Sequence, residues 1–320
     1  MPCHQHATRR LDRDSTEVSR IILAADIGGT NIRAAVVTPQ GEIADKTRSQ
    51  VSLGERNISE NDLIQSLSLF FGGIIQKNRS IKALGIGFPG FFLGNSGVLV
   101  SSPNLPCLHD VDLATRLSDE LNIPVHLQND ALCAALGEHR FGAGKGVENL
   151  LHITLGTGIG GGLILNNSAY TGESGMAMEF GHLSVDYDDS ARTCGCGSKG
   201  CVEAYASATA IAARYLETSG IQTDTRDIYE RACKGDSQAN EIIESAGRYL
   251  GIAIAQSIKL LDIHTISASG GLTGAWPLLH PAIALSLDAQ LITPLKGKIK
   301  VLKSTLNDNA GLLGAAALVS

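Results

Sequence analysis

Apolar residues fall first into short unbroken runs and then into helical periodicity. Residues 21–25 (IILAA) are continuously apolar and end at Asp26 and a Gly28-Gly29-Thr30 turn, after which 32–38 is again strand-like. Runs of that length bounded by glycine predict buried strands, and the intervening turn joins them as a hairpin. The same grammar returns later. Residues 150–155, the glycine stretch 156–162 (GTGIGGG) and the apolar 163–165 before Asn166-Asn167 read as a second hairpin with a glycine loop, so the two halves repeat one plan. Between them Leu63, Leu67, Phe70 and Ile74 recur at three- and four-residue spacing and predict a helix over 61–76. A strand is expected at 83–87, a helix at 113–121, a strand at 124–127, and a helix at 131–141 whose start is marked by Asn129 and Asp130. Helices over 207–216 and 238–261, a strand at 264–268 and a small-residue helix over 310–319 complete the pattern. Alternating helix and strand means an α/β fold.

Composition narrows the class. At 320 residues the chain is long enough for two domains, and its net charge of −6, without a run of Lys or Arg, gives no basic surface for nucleic acid. The first twenty residues lack the apolar core of a signal peptide, and no later stretch is apolar enough to span a membrane. A cytoplasmic protein with a small-molecule ligand is the expectation, with residues 1–20 a disordered extension. Cys3, Cys107, Cys133 and Cys233 stand singly, which fits a reducing compartment rather than a disulfide framework.

The remaining three cysteines do not. Cys194, Cys196 and Cys201 lie within eight residues of one another, with His182 upstream and Glu179 and Glu203 on either side. One residue separates Cys194 from Cys196, which disfavours a bridge between them, whereas three thiolates and an imidazole match the closed tetrahedral shell of structural Zn²⁺. Such a site has no open position for an activated water, so the metal shapes a loop and the chemistry lies elsewhere.

Gly156, Gly158 and Gly161 satisfy G-x-G-x-x-G, the dinucleotide fingerprint, but in that motif the glycines open a helix and here they lead into strand sequence. No G-x-x-x-x-G-K-[ST] occurs either. Asp26, placed at a strand end before two glycines, has the geometry in which backbone N–H groups approach phosphate closely. Asp130 follows a strand at a predicted helix N-terminus, where a carboxylate is either part of a cap or, if it faces a cleft, a base for a hydroxyl in phosphoryl transfer.

Taken together, DIGGTNIRAAVV (26–37), LGTGIGGG (155–162), SGGLTG (269–274), EFGHLSVD (179–186) and CGCGSKGCVEAYAS (194–207) resemble the ROK family of bacterial sugar kinases within the actin-like, hexokinase and heat-shock ATPase superfamily. The resemblance runs over nearly the whole chain from Ile21. It implies two actin-like, ribonuclease H-like domains, each a mixed five-stranded sheet flanked by helices, with a ligand cleft between: 21–128 plus 302–320 forming the smaller and 129–301 the larger, zinc-bearing one. It further implies ATP and Mg²⁺ as cofactors beside structural Zn²⁺. Asp130 would be the catalytic base, and Asn104, Asn129, Glu179, His182 and Glu203 would join it in holding a hexose. Asp26, Gly28, Gly29, Thr30, Asn31 and Arg33 would form the first phosphate loop, with Asp26 positioning Mg²⁺ through water. Gly156, Thr157 and Gly158 would embrace ATP from the other domain, and Gly270 and Gly271 would flank the adenosine. His182 would use one ring nitrogen on zinc and the other on a sugar hydroxyl. The resemblance also implies a homodimer and, among substrates, glucose first, with N-acetylmannosamine, N-acetylglucosamine, allose and fructose as alternatives. The family contains DNA-binding repressors as well, but too few residues precede the first strand for a helix-turn-helix. A sugar sensor without catalysis is the remaining non-enzyme reading.

Overall fold

The computed structural model describes residues 21–28, 31–49 and 58–319; the expected extension 1–20, with Gly29 and Thr30, lies outside the described residues. Strand β1 (Ile21–Ile27) pairs antiparallel with β2 (Ile32–Val37), which pairs antiparallel with β3 (Ile43–Ser49). Helix α1 (Glu60–Lys77) then leads to β4 (Ile81–Phe88), parallel to β1. A small antiparallel sheet of β5 (Phe91–Phe92), β6 (Val98–Ser101) and β7 (His109–Asp112) is inserted next. Helix α2 (Leu113–Leu121) and β8 (Val125–Asn129) complete the first five-stranded sheet in the order β3-β2-β1-β4-β8.

The plan is repeated after α3 (Asp130–Phe141). Strands β9 (Leu150–Leu155), β10 (Ile159–Leu165) and β11 (Ser168–Ala169) form the second meander. A long segment follows, comprising α4 (Glu203–Ala206), α5 (Ala208–Ser219), α6 (Thr225–Cys233) and α7 (Ser237–Leu261). Strand β12 (Thr265–Ser269) runs parallel to β9, helix α8 (Trp276–Gln290) follows, and β13 (Lys300–Lys303) closes the second sheet as β11-β10-β9-β12-β13. The last helix is α9 (Ala310–Ala317). Strand β13 runs across the 301/302 position expected as a domain boundary, with Leu302 paired to Ser267 and Lys303 to Ala268. These two mixed sheets with their helices are the two domains of an actin-like fold.

Strand alternation decides how each sheet is covered. On β1, Leu23, Ala25 and Ile27 pack with Leu63, Leu67 and Phe71 of α1, while Ile22 and Ala24 meet Leu312, Leu313, Ala315 and Ala316 of α9. On β9, Leu151, Ile153 and Leu155 enter the large core with α5 and α7, while Leu150 packs with Leu132 and Ala135 of α3. Both sheets are thus covered on two faces, which explains their continuous apolar strands. Helices α3 and α9 lie between the sheets and touch each other closely. A Cβ on Gly137 would stand 2.2 Å from the Ala310 carbonyl oxygen, and one on Gly314 would stand 1.5 Å from that of Cys133. Among the described residues no helix is long and apolar enough to cross a membrane.

Three parts of the architecture differ from the sequence expectation. The glycines at 160–162 lie inside β10 rather than in its loop. Gly160 and Gly162 face α3, where a Cβ would meet those of Ala131 at 2.7 Å and Ala135 at 2.5 Å, and Gly161 faces the Met178 carbonyl oxygen at 2.5 Å. They are absent side chains that let two elements approach the strand. The inserted β5–β7 sheet and β13 consist of strands of two to four residues, too short to show a period. Helix α8 is almost uniformly apolar and carries Pro277 in its first turn and Pro281 inside it, so neither periodicity nor breaker rules reveal it.

Candidate functional site

The ends of β1, β8, β9 and β12 converge on one opening, which follows the rule that α/β sheets bind ligands beyond their strands' carboxyl ends. Asp26 stands on β1, Asn129 and Asp130 at the β8–α3 junction, Gly156 after β9, and Ser269 and Gly270 at the end of β12. Two adjoining cavities occupy the opening. The smaller, about 190 Å³, is lined by Asn104, Asn129, Asp130, Glu179 and His182 among others. The larger, about 730 Å³, is lined by Asp26, Arg33, Gly156, Thr157, Gly158, Glu203 and Gly270. Asp130, Asn104, Ala131 and Gly160 line both. Asp130 therefore stands where the two spaces meet.

Local structure explains that placement. The Asn129 carboxamide oxygen accepts from the backbone N–H groups of Ala131 at 2.9 Å and Leu132 at 3.1 Å, capping α3, and its amide donates to the Gly90 carbonyl at 3.1 Å. Asn129 thus serves as the cap that fixes where α3 begins. Asp130 is released to face the cavities, with one oxygen accepting the Ala131 N–H at 2.8 Å. Burial pushes its carboxyl up to about 6, helped by the nearby carboxylates of Asp26 and Glu179, and the Ala131 N–H pulls the other way. A base with that affinity is ionised at neutral pH yet accepts a proton readily.

On the larger cavity's first wall, Asp26 and Arg33 are directly opposed across β1 and β2 and form an ion pair, and Arg33 also donates to the Asp308 carbonyl at 2.8 Å. The Asp26 carboxylate lies against Gly311 of α9, where a Cβ would come within 3.1 Å. The Gly28 N–H donates to the Asn31 carbonyl at 2.9 Å and starts the turn. The strands and turn of the facing wall carry no charged side chain of their own. The Gly156 N–H donates to the Gly158 carbonyl at 3.0 Å, Thr209 donates to the Thr157 carbonyl at 2.8 Å, and Gly160 N–H donates to the Thr154 hydroxyl at 3.1 Å. Gly270 has φ +96°, and a Cβ there would stand 2.4 Å from the Leu155 carbonyl oxygen, so this turn accepts only glycine. Gly271 begins the short 3₁₀ turn behind it.

Glu179 follows Met178 and precedes the 3₁₀ turn Phe180–His182, and its carboxyl is held above the ordinary range by burial and by Glu203, against the pull of His182. The Glu179 carboxylate lies 3.7 Å from His182 Nε2, on the side of the smaller cavity. His182 Nδ1 faces the other way, 3.6 Å from Cys194 Sγ. The ligand atoms of His182, Cys194, Cys196 and Cys201 all lie within 4.8 Å of one another. Three thiols so close lose their protons together only beside a cation, and with a neutral imidazole they make a donor set that fits tetrahedral Zn²⁺. The loop is built for the approach: Ser184 and Cys201 pair as an antiparallel bridge, and a Cβ on Gly200, at φ +78°, would stand 1.9 Å from the Asp186 carbonyl oxygen.

Glu203 is placed differently from the other residues expected to hold a sugar. Its carboxylate accepts the Ile159 N–H at 2.8 Å and lines the larger cavity rather than the smaller. It fastens the second glycine turn to the segment that follows Cys201. Sequence reading also missed several lining residues: Pro89, Gly90, Phe91, Thr171 and Ala177 around the smaller cavity, and Asn307 and Asp308 around the larger. They lie in segments brought together only by tertiary packing. His152 behind them is fully buried and bonded to the hydroxyls of Ser267 at 2.8 Å and Ser269 at 2.9 Å, and burial holds its imidazole down to about 3, so it is neutral and supports the β12 turn.

Comparison with known proteins accords with this geometry. The chain is 32% identical over 316 residues to a glucokinase of Halalkalibacterium halodurans, covering 94% of this chain and 95% of that one. The structure superposes on a ROK family glucokinase from Streptomyces griseus in complex with glucose and AMPPNP with a TM-score of 0.78 at 31% identity, covering 93% and 98% of the two chains. It is also similar to a ROK family transcriptional regulator, a homologue of the Escherichia coli MLC protein, with a TM-score of 0.84 at 25% identity, covering 94% of this chain and 78% of the regulator. A ROK family model matches residues 22–320, and the chain belongs to the ROK family.

Proposed function

We propose that this protein is an ATP-dependent sugar kinase that transfers the γ-phosphoryl group to a hexose hydroxyl, with glucose the first candidate and the 6-hydroxyl the acceptor. The observation that carries this reading is Asp130, a carboxylate with raised proton affinity at the junction of a small polar cavity and a larger one walled by glycine turns. That the similar Streptomyces griseus glucokinase is in complex with glucose and AMPPNP supports a sugar and a nucleotide as the two ligands. The sugar occupies the smaller cavity, held by Asn104, Glu179 and the Nε2 edge of His182. The nucleotide occupies the larger, with its phosphates between the first hairpin and the Gly156–Gly158 turn and its adenosine by Gly270 and Gly271.

Asp130 accepts the proton of the attacking hydroxyl as the sugar oxygen bonds to the γ-phosphorus and ADP leaves. Mg²⁺ held through Asp26 would offset phosphate charge, and Arg33 fixes that carboxylate from across the hairpin. The Zn²⁺ held by His182, Cys194, Cys196 and Cys201 would fix the His182 ring so that Nε2 faces the sugar. Cleft closure excludes water that would otherwise accept the phosphoryl group.

The test is ADP release from Mg-ATP by zinc-loaded protein with glucose, mannose, fructose, allose, N-acetylglucosamine and N-acetylmannosamine in turn. Sugar-dependent turnover is expected, with glucose dominant; turnover on another sugar replaces the substrate assignment. Silence on all six, with sugar still bound, overturns the kinase reading in favour of a sensor related to the family's regulators.

A further inference from the structure

Among the described non-glycine residues with positive φ, all but one are aspartate or asparagine, the types whose short polar side chains tolerate the left-handed region. The exception is Met178, at φ +71°. Its flexible apolar side chain offers no local hydrogen bond to stabilise that conformation, so something else holds it. The side chain is half-buried against the large core of the second domain. Its carbonyl is pressed against Gly161, where a Cβ would stand 2.5 Å away, so β10 leaves room for this one orientation of the peptide.

The turn has a consequence one residue on. The Met178 carbonyl accepts the Phe180 N–H at 2.6 Å, and Glu179 between them has φ −67° and ψ 56°, the geometry of an inverse γ-turn. Phe180 is carried into the core, and the Glu179 carboxylate is turned out to the smaller cavity beside His182. An unstrained extended residue at 178 would send the chain elsewhere. Backbone strain that persists beside a cavity is held there by its surroundings and is a pointer to function.

We infer that the left-handed backbone at Met178 positions Glu179 for sugar binding: the missing side chain of Gly161 leaves room for a disfavoured turn at 178 that aims Glu179 into the sugar cavity. The inference rests on the sugar-kinase reading for what Glu179 meets there.

Two substitutions separate a held turn from plain packing. Met178→Asn loses the apolar side chain but tolerates the left-handed conformation; Met178→Val keeps an apolar side chain but, being β-branched, disfavours it strongly. Both are assayed as the zinc-loaded full chain with Mg-ATP and glucose. Met178→Val should raise the glucose KM roughly tenfold or more, with the ATP KM and zinc content little changed, and Met178→Asn should stay nearer the unsubstituted protein. A valine variant with lower glucose KM than the asparagine variant overturns the inference, because packing alone predicts that order. If the unsubstituted protein turns over no sugar, the kinase reading fails by itself. The melting temperatures then decide: Asn above Val supports the held turn, and Val above Asn overturns it.

Discussion

The two hairpins that face each other across the cleft share one backbone plan and differ in charge. In each, the first two strands are antiparallel and the next inner strand is parallel, β4 to β1 and β12 to β9. Asp26 is paired with Arg33 in the first hairpin, whereas Thr154 is paired with Gly160 in the second. The first therefore offers a fixed carboxylate, suited to a hydrated cation beside phosphate. The second offers small residues and backbone, suited to close approach, and its nearest carboxylate, Glu203, comes from outside the hairpin and is bonded to the Ile159 N–H. One fold unit used twice supplies two different chemistries, and the cross-strand pair nearest the cleft, Asp26–Arg33 against Thr154–Gly160, is where they part.

Substitution at those paired positions should expose the asymmetry. Asp26→Asn removes the carboxylate proposed to position Mg²⁺, and turnover should fall on the order of a hundredfold or more in a steady-state assay with saturating Mg-ATP. Thr154→Val, its counterpart in the second hairpin, deletes one hydrogen bond to Gly160, about 1 kcal/mol, and should raise the ATP KM less than tenfold. Equal losses at the two sites would remove the claimed division of labour.

The second hairpin's own demand is steric. Gly162→Val drives a side chain into Ala135 and the Ala131 carbonyl of α3, and should cost about 1–3 kcal/mol of stability, read as a lower melting temperature. An unchanged melting temperature would show that the β10 glycines serve ligand approach rather than helix packing.

A smaller effect ties Asp130 to pH. Its carboxyl is held above its ordinary value of 3.8, at about 6. The folded chain therefore binds a proton more readily than the unfolded chain between those values. This contribution to stability is fully present below about 3.8, declines as pH rises through the window, and is lost above about 6. Activity runs the opposite way, because only the ionised base accepts the sugar proton, so kcat/KM for the sugar should rise with pH through about 6. Asp130→Asn should be more stable than the unsubstituted protein at neutral pH. Melting curves of both proteins from pH 4 to 8 check the sign.

The paired hairpins and the gathering of His182 with Cys194, Cys196 and Cys201 were legible in the sequence because each depends on local grammar: an apolar run, a glycine, a ligand spacing. What was not legible depends on contacts distant in the chain. Gly160 and Gly162 read as a loop because nothing local says that Ala131 and Ala135 need their empty space. Glu203 reads as a sugar contact by its neighbourhood in sequence, and what that neighbourhood does not show is the bond it accepts from the distant Ile159 N–H at the start of β10. Asn129 reads by itself as a cap, and its bonds to Ala131, Leu132 and Gly90 show that cap, while its place on the smaller cavity's wall comes from tertiary packing. The Met178 turn has no sequence signal, since methionine is among the last residues expected there.

The most direct test of the account is the turnover and sugar affinity of zinc-loaded Asp130→Asn with Mg-ATP and glucose. The amide keeps the shape of the carboxylate and loses its basicity. Glucose binding by titration within a few-fold of normal, with kcat lower by about 10²- to 10⁴-fold, is the predicted result. Near-normal turnover would contradict the assignment of Asp130 as the base at the junction of the two cavities.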